Sequence, residues 1–329
     1  MGLTDESAGA GVSESEHTAE KLRKIEDIPT TAIERFADKA GIALPESPDD
    51  KRAEYIGLLS DDQFQQLIHQ YRYAGNQTLN YFIITGISDH SLEEISESSL
   101  DEIAHRSDME GAIREPFIAD TEQFEDRLYL MFGYNATTGS EDPITGRRTH
   151  DFVTKRCVGV IRDGMDLVEL RVSERKIAEK ARDEILDALG MKSSNCRRPD
   201  FNMQFQTKFG ELVDKYYNLR IQVNDEEGST VDTIKFTSKK DEAGERKDAR
   251  EDKRVSKELE ENGGEITMGY VEIEDGSKFH INRKTSRLSF QKYEMEEKIN
   301  EITGLIDDVL RETGGYKQTT LASLRNLPE

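Results

Sequence analysis

The chain contains few of the residues that define secreted, zinc-binding or membrane-spanning proteins. Among its 329 residues there is no tryptophan, and the only cysteines are Cys157 and Cys196. Two cysteines so far apart cannot build a disulfide framework or a zinc site of the usual spacing. No apolar run approaches the roughly 18 residues of a membrane span, and the acidic first 20 residues contain no apolar core typical of a secretory signal. We therefore expect a cytoplasmic protein with no membrane partner.

The signatures of the common enzyme classes are also missing. The chain has no phosphate-binding loop, no Gly-x-Gly-x-x-Gly, no His-Glu-x-x-His and no Gly-x-Ser-x-Gly. Its six histidines are scattered, without metal-ligand spacing between any two: His17, His69, His90, His105, His150 and His280. We predict no cofactor and no metal, and a non-catalytic role is favoured.

Negative charge is the most unusual property of the composition. The formal net charge is −22, and 34% of the residues are charged, against about 25% in average soluble proteins. This negative charge has three interpretations: the protein binds basic partners, part of it is disordered, or its surface is adapted to concentrated salt. The third is favoured because the acids are interspersed through well-patterned segments, and the composition resembles that of halophilic archaeal proteins. The charge is uneven: residues 1–110 carry −14, residues 111–200 carry −2 and residues 201–329 carry −6.

Hydrophobic periodicity predicts an α+β protein. A small helical N-terminal domain precedes antiparallel β-hairpin units, each with a packing C-terminal helix. The expected segments are a disordered tail (1–18), an acidic helical domain (19–110), a hairpin-helix unit (111–192), a second α+β unit (200–315) with a charged insertion (239–264), and a polar tail (316–329). Residues 158–189 and 269–313 share the order strand, Asp-Gly turn, strand, helix, which suggests an internal duplication.

Local sequence patterns predict the helices and strands of these segments. Ser60-Asp61-Asp62-Gln63 matches a capping box that begins a helix, and the apolar run 81–84 fits a helix or a strand. Strands 152–161 and 166–172 flank Asp163-Gly164, a good hairpin signal. The apolar positions 205, 209, 212, 213 and 216 suggest one helix, and the charged insertion is interpreted as an exposed helix or as disorder.

The helical region contains one resemblance to a known family. Gly41, Lys51 and Arg52 lie where a SAP-type module has its loop glycine and the basic residues that open its second helix. Residues 28–56 thus resemble this family, which implies two short helices that bind DNA. Glu46 and the pair Asp49-Asp50 depart from the pattern, because they surround the basic pair with negative charge. A plain helical interaction domain is the alternative.

Basic side chains concentrate on the predicted hairpins. Positioned cations suffice to contact a nucleic-acid backbone, so we predict a non-catalytic protein that binds DNA or RNA, within a larger complex. A solvated sheet face is the competing interpretation. The candidate contacts are Arg147, Arg148, Lys155, Arg156, Arg171, Lys278, Arg283 and Lys284.

Two other functions stay open. In the first, the helical domain engages a protein partner, and the chain is an adaptor or scaffold. In the second, Asp151, Asp166 and Glu169 on the central hairpin hold Mg²⁺ beside a phosphate, as in a metal-dependent nuclease. The usual nuclease pattern ends Glu-x-Lys, whereas Glu169 is followed by Leu170 and Arg171.

Overall fold

The structure is a computed structural model that describes residues 21–22, 25, 28–45, 51–71, 78–107, 116–141, 148–223, 232–240, 244–291 and 293–316. For residues 51, 101–107, 137–141 and 148–152 only the backbone is described. The described residues form eight α-helices and an eleven-stranded antiparallel sheet, which confirms the α+β class. The chain divides into two compact units, Met1–Gly75 with Tyr293–Glu297, and Asn76–Lys292 with Lys298–Glu329.

The first unit is helical. It contains α1 (Thr30–Lys39), α2 (Lys51–Gly57) and α3 (Asp61–Tyr71). The predicted capping box is confirmed at the start of α3, where the Gln63 amide donates to Ser60 Oγ (3.2 Å) and the Ser60 amide donates to Gln63 Oε1 (3.0 Å). Apolar side chains of all three helices form one core, which includes Phe36, Tyr55 and Phe64.

The second unit is built on the sheet. Its strands are β1 (Thr78–Ile84), β2 (Phe117–Phe124), β3 (Arg127–Glu141), β4 (Arg148–Arg162), β5 (Leu167–Arg171), β6 (Cys196–Arg197), β7 (Val213–Gln222), β8 (Thr233–Thr237), β9 (Glu265–Ile273), β10 (Lys278–Asn282) and β11 (Arg287–Phe290). Their spatial order is β2-β3-β4-β5-β1-β11-β10-β9-β7-β8, and β6 also pairs with β1. We call β2 to β5 the first half of the sheet and β7 to β11 the second half.

Five helices belong wholly or mainly to this unit: α4 (Leu92–Ser107), α5 (Arg175–Ala188), α6 (Met203–Leu212), α7 (Lys253–Ser256) and α8 (Glu296–Glu312). A turn of π-helix, Lys257–Glu261, continues α7. None of the described helices is long and apolar enough to cross a bilayer.

Helices α4 and α5 pack on one face of the first half, α6 packs on the opposite face of the second half, and α8 covers that opposite face at β1, β5 and the end of β4. On the first half, α4 and α5 pack on the face that carries Phe82, Val168 and Leu170. On the second half, α6 packs on the other face, where the rings of Phe209 and Phe279 lie 6.3 Å apart. Strand β1 lies between the halves, and all seven of its residues are buried. The central strand is therefore covered on both faces.

Several expectations are revised by these elements. The unassigned run 81–84 is part of β1, and both β1 and α4 belong to the sheet unit, although the sequence placed residues up to 110 in the helical domain. The helix expected through position 216 ends at Leu212, and β7 begins at Val213. The two predicted α+β units share one continuous sheet.

The charged insertion is partly ordered. Between residues 244 and 264 the chain forms a 3₁₀ turn, α7 and the π-helical turn, anchored by the buried side chains of Ala249 and Val255. Both predicted tails, apart from Tyr316, lie outside the described residues.

Candidate nucleic-acid interface

Glu169 lies in a buried ionic group at the middle of the sheet. Its Oε1 accepts from Arg171 Nε at 2.5 Å, and its Oε2 accepts from Arg162 Nη2 at 3.0 Å. Thr303 on α8 also donates to Oε2 (2.8 Å), and its hydroxyl is 3.0 Å from the Tyr81 hydroxyl. The exposed fractions of Glu169, Arg171 and Arg162 are 0%, 1% and 4%.

The two arginines determine the protonation of this carboxylate. Burial alone would raise the pKa of Glu169, but the guanidinium groups of Arg171 and Arg162 hold the pKa below its usual value. Glu169 therefore stays ionised, with both carboxylate oxygens engaged. Because Arg171 is buried in this group, the structure does not present it as the phosphate contact that the sequence suggested.

The three nuclease candidates do not form a cluster in the described residues. The Asp166 carboxylate accepts hydrogen bonds from the Ser88 hydroxyl (2.7 Å) and from the amides of Ser88 and Gly86, so it fixes the turn after β1. Asp151 lies far along β4, opposite Thr138 of β3, and its side chain is not described. No group of three or more His, Cys, Asp or Glu in the described part of the chain could hold a metal ion.

The candidate contacts on β4 do not share a face. Lys155 and Arg156 are both exposed, but as neighbours on a strand they project from opposite faces of the sheet. Arg148 begins β4 with an undescribed side chain, and Arg147 lies outside the described residues. The described side chains of this strand therefore form no convergent basic surface.

The remaining candidates lie on and beside the β10–β11 hairpin. Lys278 is on β10, with its ammonium 4.9 Å from the centre of the Tyr217 ring and 3.4 Å from Glu272. Arg283 bonds with Glu265 and with Gln206 Oε1, so its guanidinium is committed within the fold. Lys284 is exposed at the turn. Strands β5 and β1 separate this hairpin from β4.

Lys278 belongs to a larger basic surface that the sequence did not reveal. The strand register places its members on one face of the second half, opposite to the face that carries Phe279 and α6. We call this surface the open face, because its basic side chains are partly or fully exposed. Arg246, in the segment between β8 and β9, lies at its border. The cations of the open face itself are Lys215, Arg220, Lys235, Lys278 and Arg287.

Three aromatic rings cross the open face in a row. The rings of Tyr217 on β7 and Tyr270 on β9 have centroids 5.5 Å apart, and the Tyr270 and His280 rings have centroids 4.6 Å apart. Beside them is a shallow cleft of about 410 Å³, lined by Lys215, Tyr217, Glu245, Arg246, Tyr270, Glu272 and Lys278. The row is therefore flanked by ammonium and guanidinium groups.

The electrostatics of the row favour a neutral imidazole. Burial, and then the positive charge of Lys235, lower the pKa of His280 from its usual value. Its Nε2 lies 3.1 Å from Gln291 Nε2. The carboxylates of Glu272 and Glu245 oppose the nearby cations, and Glu272 accepts a hydrogen bond from the Tyr217 hydroxyl.

Sequence reasoning identified Lys278 and missed the rest of the open face. The alternation 278, 280, 282 was visible in the sequence, but the partners Tyr217, Tyr270 and Lys235 come from strands whose pairing is set by tertiary structure. A local signal existed only at Tyr270, which alternates with the buried Val271 on β9.

Neither cysteine is poised for chemistry. Cys157 is buried in the core of the first half, and burial raises the pKa of its thiol to about 12. Burial also raises the pKa of Cys196 to about 11, although Arg182 opposes the shift. A high thiol pKa leaves little of the nucleophilic thiolate at neutral pH.

No known family model matches this chain, and no curated protein matches it either.

Proposed function

We propose that the protein binds nucleic acid through the open face of the second half of the sheet. The observation that carries the proposal is the accumulation of cations on this face in a chain of net charge −22. Five basic side chains project from β7, β8, β10 and β11, with Arg246 at the border, against the carboxylates of Glu272 and Glu245 that line the cleft. A local positive surface of this kind attracts phosphates, because cations that replace condensed counterions release them.

The position of the surface supports this role. The helices that stabilise the second half pack on its other face, so a ligand can reach these strands without displacing any described helix of the sheet unit. The cations are also set on a rigid sheet, which fixes their spacing relative to a phosphate backbone.

Salt-dependent binding provides the test. Labelled DNA and RNA would be titrated with the protein at several salt concentrations, starting at the lowest that keeps it folded. We expect affinity to fall steeply with salt. The triple variant Lys215→Gln, Lys235→Gln, Lys278→Gln should reduce the slope of log K against log salt by about 2 to 3, roughly one unit for each phosphate that is no longer neutralised.

A matched control distinguishes this surface from charge in general. Lys155→Gln with Arg156→Gln removes two exposed cations from the first half of the sheet and should leave the slope unchanged. Equal reductions in both variants would contradict the placement of the interface. Absence of binding at any salt that keeps the fold would overturn the function itself, and would favour the adaptor role predicted for the helical unit.

A further inference from the structure

We infer that the open face selects single strands, whose bases stack on the Tyr270 and His280 rings of the aromatic row, while Tyr217 is buried at the end of the row with the Lys278 ammonium over its ring. This inference rests on the proposed function and specifies its substrate class. The row has one ring on each of β7, β9 and β10, with centroid separations of 5.5 Å and 4.6 Å. These separations match the spacing of about 4.8 Å between strands, so the rings form a continuous aromatic band across the sheet.

An aromatic band of this kind suits unpaired bases. In a duplex the faces of the bases are stacked inside the helix and cannot reach a protein ring. In a single strand each base can splay out and present its face, and stacking tolerates any sequence because every base has an aromatic face. The band therefore favours single strands over duplexes of the same sequence.

The cations around the band have the positions that a backbone requires. Lys278 lies two residues before His280 on β10, with its ammonium over Tyr217. Lys235 is on β8, opposite Arg220 of β7, and β7 and β9 lie between it and His280 on β10. Cations thus lie at the Tyr217 end of the row and on the strand beyond it, so a strand whose bases lie on the accessible rings can have its phosphates beside these groups.

Each ring is held in place by a contact within the fold. The Tyr217 hydroxyl donates to Glu272, and His280 contacts both Tyr270 and Gln291. Tyr270 and His280 are half-buried, which leaves part of each ring accessible. A held ring loses little conformational entropy when a base stacks on it.

The test compares single and double strands on matched variants. Fluorescence anisotropy would be measured with a single strand of about 12 nucleotides, within the usual site size, and with its duplex. We expect at least a tenfold preference for the single strand. Tyr270→Leu should weaken single-strand binding about tenfold, because one stacked base contributes roughly 1–3 kcal/mol, and Tyr270→Phe should retain it within about twofold.

A second readout reports stacking directly. A strand that contains 2-aminopurine should lose fluorescence on binding to the wild type and to Tyr270→Phe, and less on binding to Tyr270→Leu. His280→Leu should reproduce the effect, which keeps the test available if Tyr270→Leu does not fold. The salt slope should be the same in all ring variants, because no ionic contact is removed.

The outcomes separate the two proposals. Equal binding of single strand and duplex, with Tyr270→Leu unchanged and a steep salt slope, would overturn the stacking inference and leave the proposed function standing. Failure of every nucleic acid to bind at low salt would overturn both.

Discussion

The two halves of the sheet use the same antiparallel pairing, but α4 and α5 pack on one face and α6 packs on the other. In the first half the face of Phe82 and Leu170 lies under α4 and α5, whereas in the second half the face of Phe279 lies under α6. The halves meet at β1, which is covered on both faces. The same change of side leaves the opposite face of the second half accessible, with its cations and aromatic rings.

Charged groups differ in burial between the strands next to β1 and the open face. At the junction, Glu169 and its two arginines are removed from water, and each oxygen of the carboxylate has a charged donor. On the open face, the basic side chains are partly or fully exposed. A buried ion group contributes a constraint on the fold, whereas an exposed one remains available for binding.

The largest expected loss of stability comes from removing the buried carboxylate of Glu169. Glu169→Leu leaves Arg162 and Arg171 buried without their carboxylate, and we expect the free energy of unfolding to fall by about 3–5 kcal/mol, the usual cost of breaking a buried pair. Chemical denaturation measures the change. The control is Glu179→Gln, which removes partly exposed ion pairs with Arg175 and Arg198 and should cost about 0.2–1 kcal/mol for each pair.

A compensated variant sharpens this prediction. Replacing Glu169, Arg162 and Arg171 together by apolar residues of similar volume should recover most of the lost stability, because no charge is then left unpaired. A destabilisation by Glu169→Leu no greater than that by Glu179→Gln would show that the ionic group does not stabilise the junction.

The second prediction compares the two faces of one strand. Phe279 is fully buried and its neighbour His280 is half-buried on the open face. Phe279→Ala should destabilise the protein by about 3–5 kcal/mol, whereas His280→Ala should cost less than about 1 kcal/mol. Thermal and chemical unfolding of the two variants measure the difference. Similar destabilisation by both would mean that the open face is covered in solution.

A smaller loss of stability is expected at Gly269, where β9 packs against the Tyr216 ring. A Cβ on Gly269 would lie 2.9 Å from the Tyr216 ring, so Gly269→Ala should cost about 1–3 kcal/mol through overpacking. Gly304→Ala is the matched control, since nothing lies within 4 Å of a Cβ there. Because Gly304 is inside α8, this change should stabilise the protein by about 0.5–1 kcal/mol, measured by the same denaturation. A stable Gly269→Ala variant would contradict the close packing of β9 and β7.

The smallest expected effect is the pH dependence of the stability that Glu169 contributes. The folded-state pKa of Glu169 is lowered, so its stabilising contribution is present above the ordinary carboxyl pKa and is lost as the pH falls through the lowered value. The difference in unfolding free energy between the wild type and Glu169→Gln should be constant from pH 8 to about pH 5 and should shrink in more acidic solution. A difference that grows on acidification would contradict the assigned shift.

Local patterns predicted the elements whose signals are complete in the sequence. The hairpin at Asp163-Gly164 has turn residues of its own, the helix predicted at the end of residues 269–313 has a periodicity of its own, and both are confirmed. The run 81–84 could not be assigned, because a strand buried on both faces shows no alternation.

Two errors have a physical cause that lies beyond the local sequence. Strand β7 contains register shifts after Val213, Tyr216 and Arg220, and these irregularities place its buried residues at spacings that imitate a helix. Glu169 was predicted as a possible metal ligand and Arg171 as a nucleic-acid contact, because the sequence does not show that α8, about 130 residues later in the chain, packs over Glu169. For the same reason the aromatic row could not be predicted, since its three rings meet only through pairing of distant strands.

The central position of β1 has a consequence for biosynthesis. Its residues pair with β5 about 90 positions later and with β11 about 210 positions later, so Thr78 can pair with Ser289 only after about 210 further residues have been synthesised. At a synthesis rate of about 5–20 residues per second, this wait is on the order of 10–40 seconds. During that interval β1, all of whose residues are buried in the complete fold, has an unfilled edge, and an unpaired edge of this kind is a template for pairing with another chain.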